Sequence, residues 1–520
     1  MVKQEPILDV RAEGSDSSFD GHSSSSQDAK DMYRLGKSQE LKRNFHSIPI
    51  LGLTCVIMCT WMGILSTSTF SLINGGRAGT VWTFLATWIL TIPVVASMAE
   101  MASMSPSAGG QYHWVSEFAP PNMQKVLSYV SGWLAALGWQ AFIASSAYQT
   151  GNVILILASM NNPSYVPTVW QGTLMTMAVG AFAISFNAFA AKHLPLFEGL
   201  ILIMFLIGFF VIIIPLWVLA PRASVSDVFG KFENWGGWAS MGGACIVGQM
   251  AASAAFIGVD SAVHMAEEVK NASRVVPRMM MLTVFLNGAL GFIMIVTFCF
   301  AIQSVEEQII MSTAPYPFVD VFATATGSTA AAIGMTVPMV LMTLSMCINS
   351  TAAASRQAWS FARDDGLPFP AWFTRLIPIN STPLPVNAMV TSLVILIVVA
   401  LLNFGGSEVF NSIIGLMTGA VGLTYALSIA CVLWRRLYGE PLPPARWSLG
   451  RWGVPINVIA VLYELFSTII SFFPLFAKVD AKSMNWGIAM FGGVAILCVV
   501  NYLVHARKIY QGPVVAIVKN

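Results

Sequence analysis

The stretch Phe256-Ile-Gly-Val-Asp-Ser-Ala-Val-His-Met-Ala-Glu-Glu-Val-Lys270 closes a long apolar segment and decides how the rest of the chain is interpreted. Gly258 and Asp260 interrupt it at a depth where a helix in lipid must pair all of its own backbone groups. Such breaks occur where the backbone lines a cavity inside the protein, and a carboxylate beside one is costly unless it handles an ion or a charged solute. The stretch therefore predicts a membrane helix with a functional break.

The composition places most of the chain in a bilayer. Of 520 residues, 56% are hydrophobic and 10% are charged, whereas about a quarter of the residues of a soluble domain are charged. The net charge of +2 comes without a basic stripe, which argues against nucleic acid as a partner. Seven cysteines without metal-ligand spacing are predicted to be packing thiols rather than disulfides: Cys55, Cys59, Cys245, Cys299, Cys347, Cys431 and Cys498.

Twelve segments are long and apolar enough to cross a bilayer, which takes about 20 residues. They predict an all-α integral membrane protein with spans near 48–73, 79–102, 125–158, 167–189, 197–219, 242–262, 279–302, 330–356, 384–403, 409–433, 454–476 and 484–505. Both termini then lie on one side. Positive charge is enriched on that side, so it is predicted to be cytosolic. Five of the 27 Lys and Arg residues fall opposite: Arg77, Arg222, Lys231, Lys478 and Lys482.

The ends of the chain differ from the apolar domain of residues 46–506. Residues 1–45 are rich in Ser, Asp, Gly and Gln and poor in apolar residues, so a disordered cytosolic tail is predicted there. It lacks the apolar core of a signal peptide, and we expect it to be retained. It is either a passive tail or a regulatory one with phosphorylated serines and ubiquitin-accepting lysines. Residues 507–520 are predicted to form a short cytosolic C-terminal tail.

A second break candidate lies five spans earlier, in Cys59-Thr-Trp-Met-Gly-Ile-Leu-Ser-Thr-Ser-Thr69. Two broken helices at matching positions are typical of secondary transporters built from inverted repeats. The repeats would be 48–219 and 242–433, with 454–505 as two extra helices. Amides and carbonyls exposed at such breaks attract carboxylates and cations respectively, and an amino acid zwitterion carries both charges. The alternative is that Gly63 only permits close helix packing.

Three motifs carry a family resemblance. They are Ser97-Met-Ala-Glu-Met-Ala-Ser-Met-Ser-Pro-Ser-Ala-Gly-Gly-Gln-Tyr-His-Trp-Val-Ser-Glu117, the sixth-span stretch continued to Pro277, and Ser360-Phe-Ala-Arg-Asp-Asp-Gly-Leu-Pro368. The chain resembles the amino acid–polyamine–organocation superfamily and, within it, the fungal amino acid/choline transporters that include GABA and choline permeases. The resemblance implies a LeuT-like five-plus-five fold with two added helices. It also implies solute uptake at the fungal plasma membrane, usually driven by protons.

The resemblance implies a substrate site between the first, third, sixth, eighth and tenth helices. Mapped by motif, the two breaks would contribute Trp61, Met62, Gly63, Ile64, Phe256, Ile257, Gly258 and Val259. Phe256 would be an aromatic gate or a side wall of the pocket. Four further candidates, for which lipid contact or packing is the alternative, are Trp139, Gln140, Ser345 and Asn349. Aromatic walls would also suit a quaternary ammonium group.

Ionisable side chains at membrane depth supply candidates for ion coupling. Asp260 would hold a substrate amine or a proton, or would only fix the break by accepting hydrogen bonds from amides. Some bacterial relatives carry a lysine on the fifth helix, which residues 197–219 lack, and Glu198 is a candidate proton carrier there. Glu100 is expected to be structural, and Glu464 to be a packing or oligomer contact.

Charged residues follow the sixth and eighth spans. An ion-pair network between them would close the inner side of a transporter, with Glu267, Glu268, Lys270, Arg363 and Asp364 as the candidate gate residues. The alternative is a solvated face, because single surface pairs are worth under about 1 kcal/mol.

The leading prediction is a proton-driven importer of amino acids or related amines that works by alternating access. Choline, another quaternary amine and 4-aminobutyrate remain open as substrates, polyamines are less favoured because only one acidic pocket candidate exists, and an exporter is possible. A nutrient sensor on a transporter fold is the second class. Scattered histidines without metal spacing and the absence of a nucleophile motif argue against an enzyme, and no cofactor or metal is expected.

Overall fold

The structure is a computed structural model that describes residues 26–162, 164–312, 316–380, 382–405, 409–481 and 483–513. In this part of the chain, eleven helices are long and apolar enough to cross a membrane, and a twelfth, broken helix lies between the fifth and sixth of them. The twelve-span all-α prediction is confirmed. Spans 1 to 12 are Ser47–Ile73, Gly76–Met104, Gln124–Asn161, Val169–Phe189, Ala191–Leu219, Met241–Ala255 with Ser261–His264, Ala272–Ala301, Thr329–Arg363, Val386–Phe404, Val409–Tyr438, Gly450–Ile470 and Gly487–Ile509.

Shorter elements lie between or before the spans. Five are α-helices: Ser26–Arg34, Gln111–Phe118, Val225–Gly230, Phe318–Thr326 and Pro370–Phe373. Ala266–Glu268 is a single 3₁₀ turn and Glu306–Ile310 a π turn. Strands Ile377–Ile379 and Thr382–Leu384 pair antiparallel, with Ile377 opposite Leu384. The sequence predicts none of these elements, since it indicates loops between the spans and a disordered tail before them.

The first break lies at Cys59, which adopts a left-handed conformation (φ 32°) between helices Ser47–Met58 and Thr60–Ile73. The predicted break around Trp61–Ile64 is therefore placed too late in the chain. The amide of Gly63 donates to the carbonyl of Cys59 at 2.8 Å, so this stretch is the first turn of the second half-helix. Gly63 faces Ala255 of span 6, where an added Cβ would lie 3.5 Å from the Ala255 Cβ.

The second break unwinds residues 256–260 between Met250–Ala255 and Ser261–His264, where the sequence predicts it. Gly258 has φ +106°, a conformation that side chains with a Cβ rarely adopt. A Cβ at this position would also lie 2.5 Å from Cγ2 of Ile57 in span 1. Glycine is thus required both by the backbone and by the close approach of the two broken helices.

Spans 1 and 10 form the middle of the bundle, and span 12 lies at its edge. The most apolar windows of spans 1 and 10 are each 78% buried, whereas that of span 12 is 11% buried. Residues 26–46 pack on one end of the bundle, which we call the tail-side face, together with the loops after spans 2, 6, 8 and 10. The opposite end, the far face, joins the loops after spans 1, 5 and 11 through Asn74, Trp235 and Ala477.

Gly258→Ala is expected to destabilise the protein, because it combines a strained backbone, costing about 1–3 kcal/mol, with a clash against a β-branched side chain. Thermal unfolding of the detergent-solubilised protein measures the effect. Gly334→Ala is the matched control, since a Cβ added at this exposed helical position meets nothing within 4 Å. Equal melting temperatures for the two variants would contradict the assigned role of Gly258.

Candidate functional site

A small cavity of about 50 Å³ lies where the two broken helices meet. Spans 1, 3, 6, 8 and 10 all contribute to it, which are the five helices expected from the resemblance. Its lining consists of Ile57, Met58, Gly63, Thr67, Phe142, Ser145, Gln149, Ala254, Ala255, Met346, Phe410, Ile414 and Met417. None of these side chains carries a charge.

A larger vestibule of about 630 Å³ leads from this cavity toward the far face. The two spaces share Thr67 and Phe410, and the vestibule is bordered by residues of the loops after spans 3, 7 and 11. The Phe410 ring stacks on Tyr148 with centroids 5.0 Å apart and meets Tyr316 edge-on at 6.0 Å. Phe410 therefore lies at the passage between vestibule and cavity. The side chains recorded as lining the vestibule are all uncharged.

The polar groups of the cavity come mainly from backbone at the breaks. The half-helices Ser47–Met58 and Met250–Ala255 both end there, so their terminal carbonyls give the site partial negative charge. Thr60, which begins the next half-helix, donates its hydroxyl to the Ala255 carbonyl at 2.9 Å, and its amide donates to Asn287 Oδ1 at 2.9 Å. The carbonyls at the breaks suit an amine, and the apolar side chains of the lining suit an apolar group.

Of the predicted pocket residues, Gly63 lines the cavity, and several others face elsewhere. Trp61 packs against Phe205 and Phe209 of span 5, with ring centroids 5.9 and 6.4 Å apart. Phe256 packs against Phe84 of span 2 at 5.4 Å, so the expected aromatic gate at Phe256 does not match its position. The unwound helix turns this side chain away from the cavity.

The remaining predicted pocket residues have partners outside the cavity. Gln140 donates to Ser392 of span 9 at 3.0 Å, and Ser345 donates to the Leu341 carbonyl of its own helix at 2.7 Å. The buried Met62, Ile64, Ile257 and Val259 are likewise absent from the cavity lining. Phe142, Ser145 and Gln149, which do line it, lie within ten residues of Trp139 and Gln140. Hydropathy alone does not tell which face of an apolar span points inward.

Asp260 is buried and accepts hydrogen bonds from three other elements. Its donors are Gln111 Nε2 at 2.7 Å, Trp139 Nε1 at 3.3 Å and the Tyr425 hydroxyl at 2.5 Å, and His264 Nε2 lies 3.3 Å away. His264 also contacts the Ala108 carbonyl through Nδ1 at 2.9 Å. The carboxylate thus ties the tail-side half of span 6 to spans 3 and 10 and to the loop after span 2.

Glu198 is fully buried between spans 1, 5 and 8. Asn349 donates to its Oε2 at 2.9 Å, and within the described residues Oε1 has no hydrogen-bond partner. Span 1 approaches closely here, since a Cβ on Gly52 would lie 2.1 Å from the Glu198 carbonyl oxygen. Asn349, a predicted pocket residue, is therefore a partner of the predicted proton carrier.

The predicted gate residues form buried ion pairs on the tail-side face. Glu267 pairs with Arg363 at 2.8 Å, Glu268 pairs with Arg356 at 2.8 Å, and Asp364 pairs with Lys37 at 3.0 Å. Arg356 and Lys37 had not been predicted. Lys270 is exposed, and among the described residues it takes part in no recorded ion pair, so the structure does not place it in the gate.

The electrostatics of this gate follow from its burial. Burial alone would raise the pKa of Glu267, but the charges of Arg363 and Lys37 outweigh it and hold the pKa below its usual value. Burial lowers the pKa of Lys37, and Asp364 opposes that shift. The pairs are therefore not the weak surface contacts of a solvated face.

The N-terminal segment is ordered from Ser26 onward, in contrast to the predicted disorder of residues 1–45. Met32, Leu35 and Leu41 are buried against the tail-side face. Asp28 accepts hydrogen bonds from the amides of Asn271 at 2.9 Å and Ala272 at 3.2 Å, at the start of span 7. Apolar contacts and helix capping thus compensate for the polar composition. Residues 1–25, with most of the candidate regulatory serines, lie outside the described residues.

The C-terminal prediction also needs an adjustment. Span 12 continues to Ile509, and Tyr510 is buried with its hydroxyl 2.6 Å from Ser128 Oγ. Residues 514–520 lie outside the described residues.

Comparison with solved structures shows the fold. A crystal structure of a manganese transporter from Eremococcus coleocola aligns with a TM-score of 0.57 at 12% identity, covering 91% of this chain and 95% of the other. This likeness shows that the chain has a LeuT-like fold, and it shows the fold alone.

Curated relatives cover nearly the whole chain. An uncharacterized amino-acid permease of Schizosaccharomyces pombe is 27% identical over 95% of this chain and 90% of its own. Amino-acid permease 2 of Neurospora crassa is 27% identical over 94% and 90%, and a choline transporter of Saccharomyces cerevisiae is 27% identical over 88% and 81%.

The profile of the family described as amino acid permease matches residues 48–499, which include all parts of the cavity and of the gate except Lys37. The chain belongs to the amino acid permease family and is a multi-pass membrane transporter.

Proposed function

We propose that this protein imports neutral amino acids, driven by protons, by alternating access around the two broken helices. The observation that carries this proposal is the uncharged cavity between the breaks, which adjoins a vestibule on the far face and is closed by buried ion pairs on the tail-side face. The structure corresponds to an outward-facing state if the tail-side face is cytosolic. The excess of Lys and Arg on the tail side supports that orientation.

The chemistry of the cavity supports a neutral zwitterion. The ends of Ser47–Met58 and Met250–Ala255 supply partial negative charge, and the start of Thr60–Ile73 supplies partial positive charge. Phe142, Met346 and Met417 supply an apolar, adaptable wall. A polyamine would need carboxylates, and the lining contains none. Choline is the second candidate, because Phe142 and Phe410 can face a quaternary ammonium group and a choline transporter is among the relatives.

Proton coupling is assigned to Glu198. It lies against the first half of span 1, away from the cavity lining, and one of its oxygens has no partner in the described structure. A buried carboxylate without a cation is costly when ionised, so movement of span 1 would change its affinity for a proton. Asp260, which is held by several donors, is assigned to anchoring the closed tail side.

Filling the cavity is expected to block uptake. Ser145→Leu places a larger apolar side chain in the cavity lining and occupies space that the substrate needs, and we expect a loss of affinity of about tenfold, or about 1.4 kcal/mol. The measurement is uptake of labelled leucine, proline, lysine, glutamate, 4-aminobutyrate, choline and putrescine in transporter-deficient yeast at acidic and neutral pH.

Ser185→Leu is the matched control for this variant, since Ser185 lies exposed on span 4. Uptake of neutral amino acids that increases in acid and fails only in Ser145→Leu supports the proposal. Uptake of choline alone selects the second candidate. Uptake that Ser145→Leu leaves intact would place the substrate elsewhere.

Breaking the tail-side gate is expected to shift the protein toward the inward-facing state. Arg356→Gln leaves Glu268 buried without its cation, a loss of about 3–5 kcal/mol in the closed state. A cysteine replacing Thr69 in the vestibule should then react more slowly with an impermeant maleimide added from outside.

Arg451→Gln, on an exposed tail-side arginine, is the control and should leave the labelling rate unchanged. Combining Glu268→Arg with Arg356→Glu should restore part of the original rate. If the cysteine at position 69 reacts equally fast with and without Arg356→Gln, these ion pairs do not control the closed state.

A further inference from the structure

Glu464 is a buried carboxylate that the transport cycle described above does not use. It lies within span 11 and is 5% exposed, which does not fit the expected oligomer contact. In the described part of the chain it makes no hydrogen bond and no ion pair. Gly422 of span 10 makes room for it, since an added Cβ would lie 2.9 Å from Glu464 Oε2.

A second polar group without a partner lies beside it. Thr468, one turn along span 11, has a buried hydroxyl with no hydrogen-bond partner among the described residues. The same Cβ on Gly422 would lie 3.1 Å from this hydroxyl. Two neighbouring side chains thus present unused hydrogen-bonding capacity at membrane depth, where such groups are normally satisfied.

Glu464 faces a small cavity rather than solid packing. The cavity measures about 10 Å³. It is also lined by Thr91 of span 2, Ser253 of span 6, Tyr425 of span 10 and Tyr463 of span 11. That volume corresponds to about one water molecule. One wall is formed by Phe256 and its neighbours in the unwound segment of span 6. A rearrangement of the broken helix therefore changes the surroundings of Glu464.

The cavity connects Glu464 to the network that closes the tail side. The titratable groups that face it are Tyr425 from span 10 and Tyr463 from span 11, and the Tyr425 hydroxyl donates to Asp260 at 2.5 Å. The residues that spans 2 and 6 contribute to the cavity carry no charge. An ionised carboxylate in these surroundings is costly, because no cation lies among the residues that line the cavity.

We propose that Glu464 is a second proton-binding site. It takes up one proton to form the carboxylic acid while the tail side is closed. It releases that proton when movement of the unwound segment opens the cavity to water or to the Tyr425–Asp260 pair. This inference rests on the proposed proton-coupled transport, and it adds a site outside the ten-helix core.

The first test follows the proton itself. Infrared difference spectra of the full-length protein in liposomes, recorded across a pH titration, should contain the carbonyl band of a protonated carboxylic acid that Glu464→Gln removes. Glu440→Gln, on a side chain that is 90% exposed, is the control and should keep the band. A spectrum unchanged in Glu464→Gln would overturn the proposal whether or not the protein transports leucine.

The second test separates coupling from substrate binding. In proteoliposomes, Glu464→Gln should keep the exchange of labelled leucine but lower the leucine-driven proton flux to about half, because one of two linked sites is lost. Glu464→Asp, which keeps a titratable group, should restore the flux and shows that the site tolerates substitution. Unchanged flux in Glu464→Gln overturns the proposal. If the wild type does not transport leucine, the proposed function fails for that substrate, while the infrared result still decides on Glu464.

Discussion

The hydrogen bond from the Thr60 hydroxyl to the Ala255 carbonyl holds the two broken helices together, and the cavity depends on it. Backbone groups freed by a break at membrane depth must find partners inside the protein. Thr60 begins the second half of span 1, Ala255 ends the first half of span 6, and Asn287 of span 7 takes the Thr60 amide. Thr60 thus pairs backbone groups at both breaks and fixes the distance between the two helices. With these groups paired, carbonyls at the end of the half-helix Ser47–Met58 remain available for a ligand.

The tail-side face is the second constraint. Charged residues are concentrated on this face, whereas the far face contains an uncharged vestibule. Asp260 connects the two regions: Trp139 stacks on Phe142 of the cavity wall at 5.4 Å and donates to Asp260, while Gln111 donates to it from the tail-side loop. A change at the cavity wall can therefore reach the tail-side half of span 6 through two side chains. In the proposed cycle, the ion pairs of Glu267 and Glu268 hold the tail side closed until that half moves.

The sequence predicts the parts of this architecture that depend on strong local signals. Length and apolarity suffice for the spans, and the glycine and aspartate at 258 and 260 mark the second break. The sequence misplaces the first break because its left-handed residue is Cys59, a type with no preference for that conformation, whereas Gly63 lies in the helical turn that follows. The cavity lining was largely missed, since apolar spans carry no polar stripe that shows their inward face. Lys37 was missed because tail composition does not show where a segment docks.

The position of the acidic groups explains how charge can be coupled without charge in the cavity. A carboxylate lining the cavity would favour cations and repel the carboxylate of a zwitterion. The acidic side chains instead lie behind the broken helices, at Glu198, Asp260 and Glu464. They differ in the number of hydrogen-bond donors to their carboxylate oxygens. Hydrogen bonds to a carboxylate favour its charged form, so Asp260 with several donors suits a fixed anchor. Within the described residues Glu198 has one such donor and Glu464 has none, which agrees with the proton-exchanging roles proposed for them above.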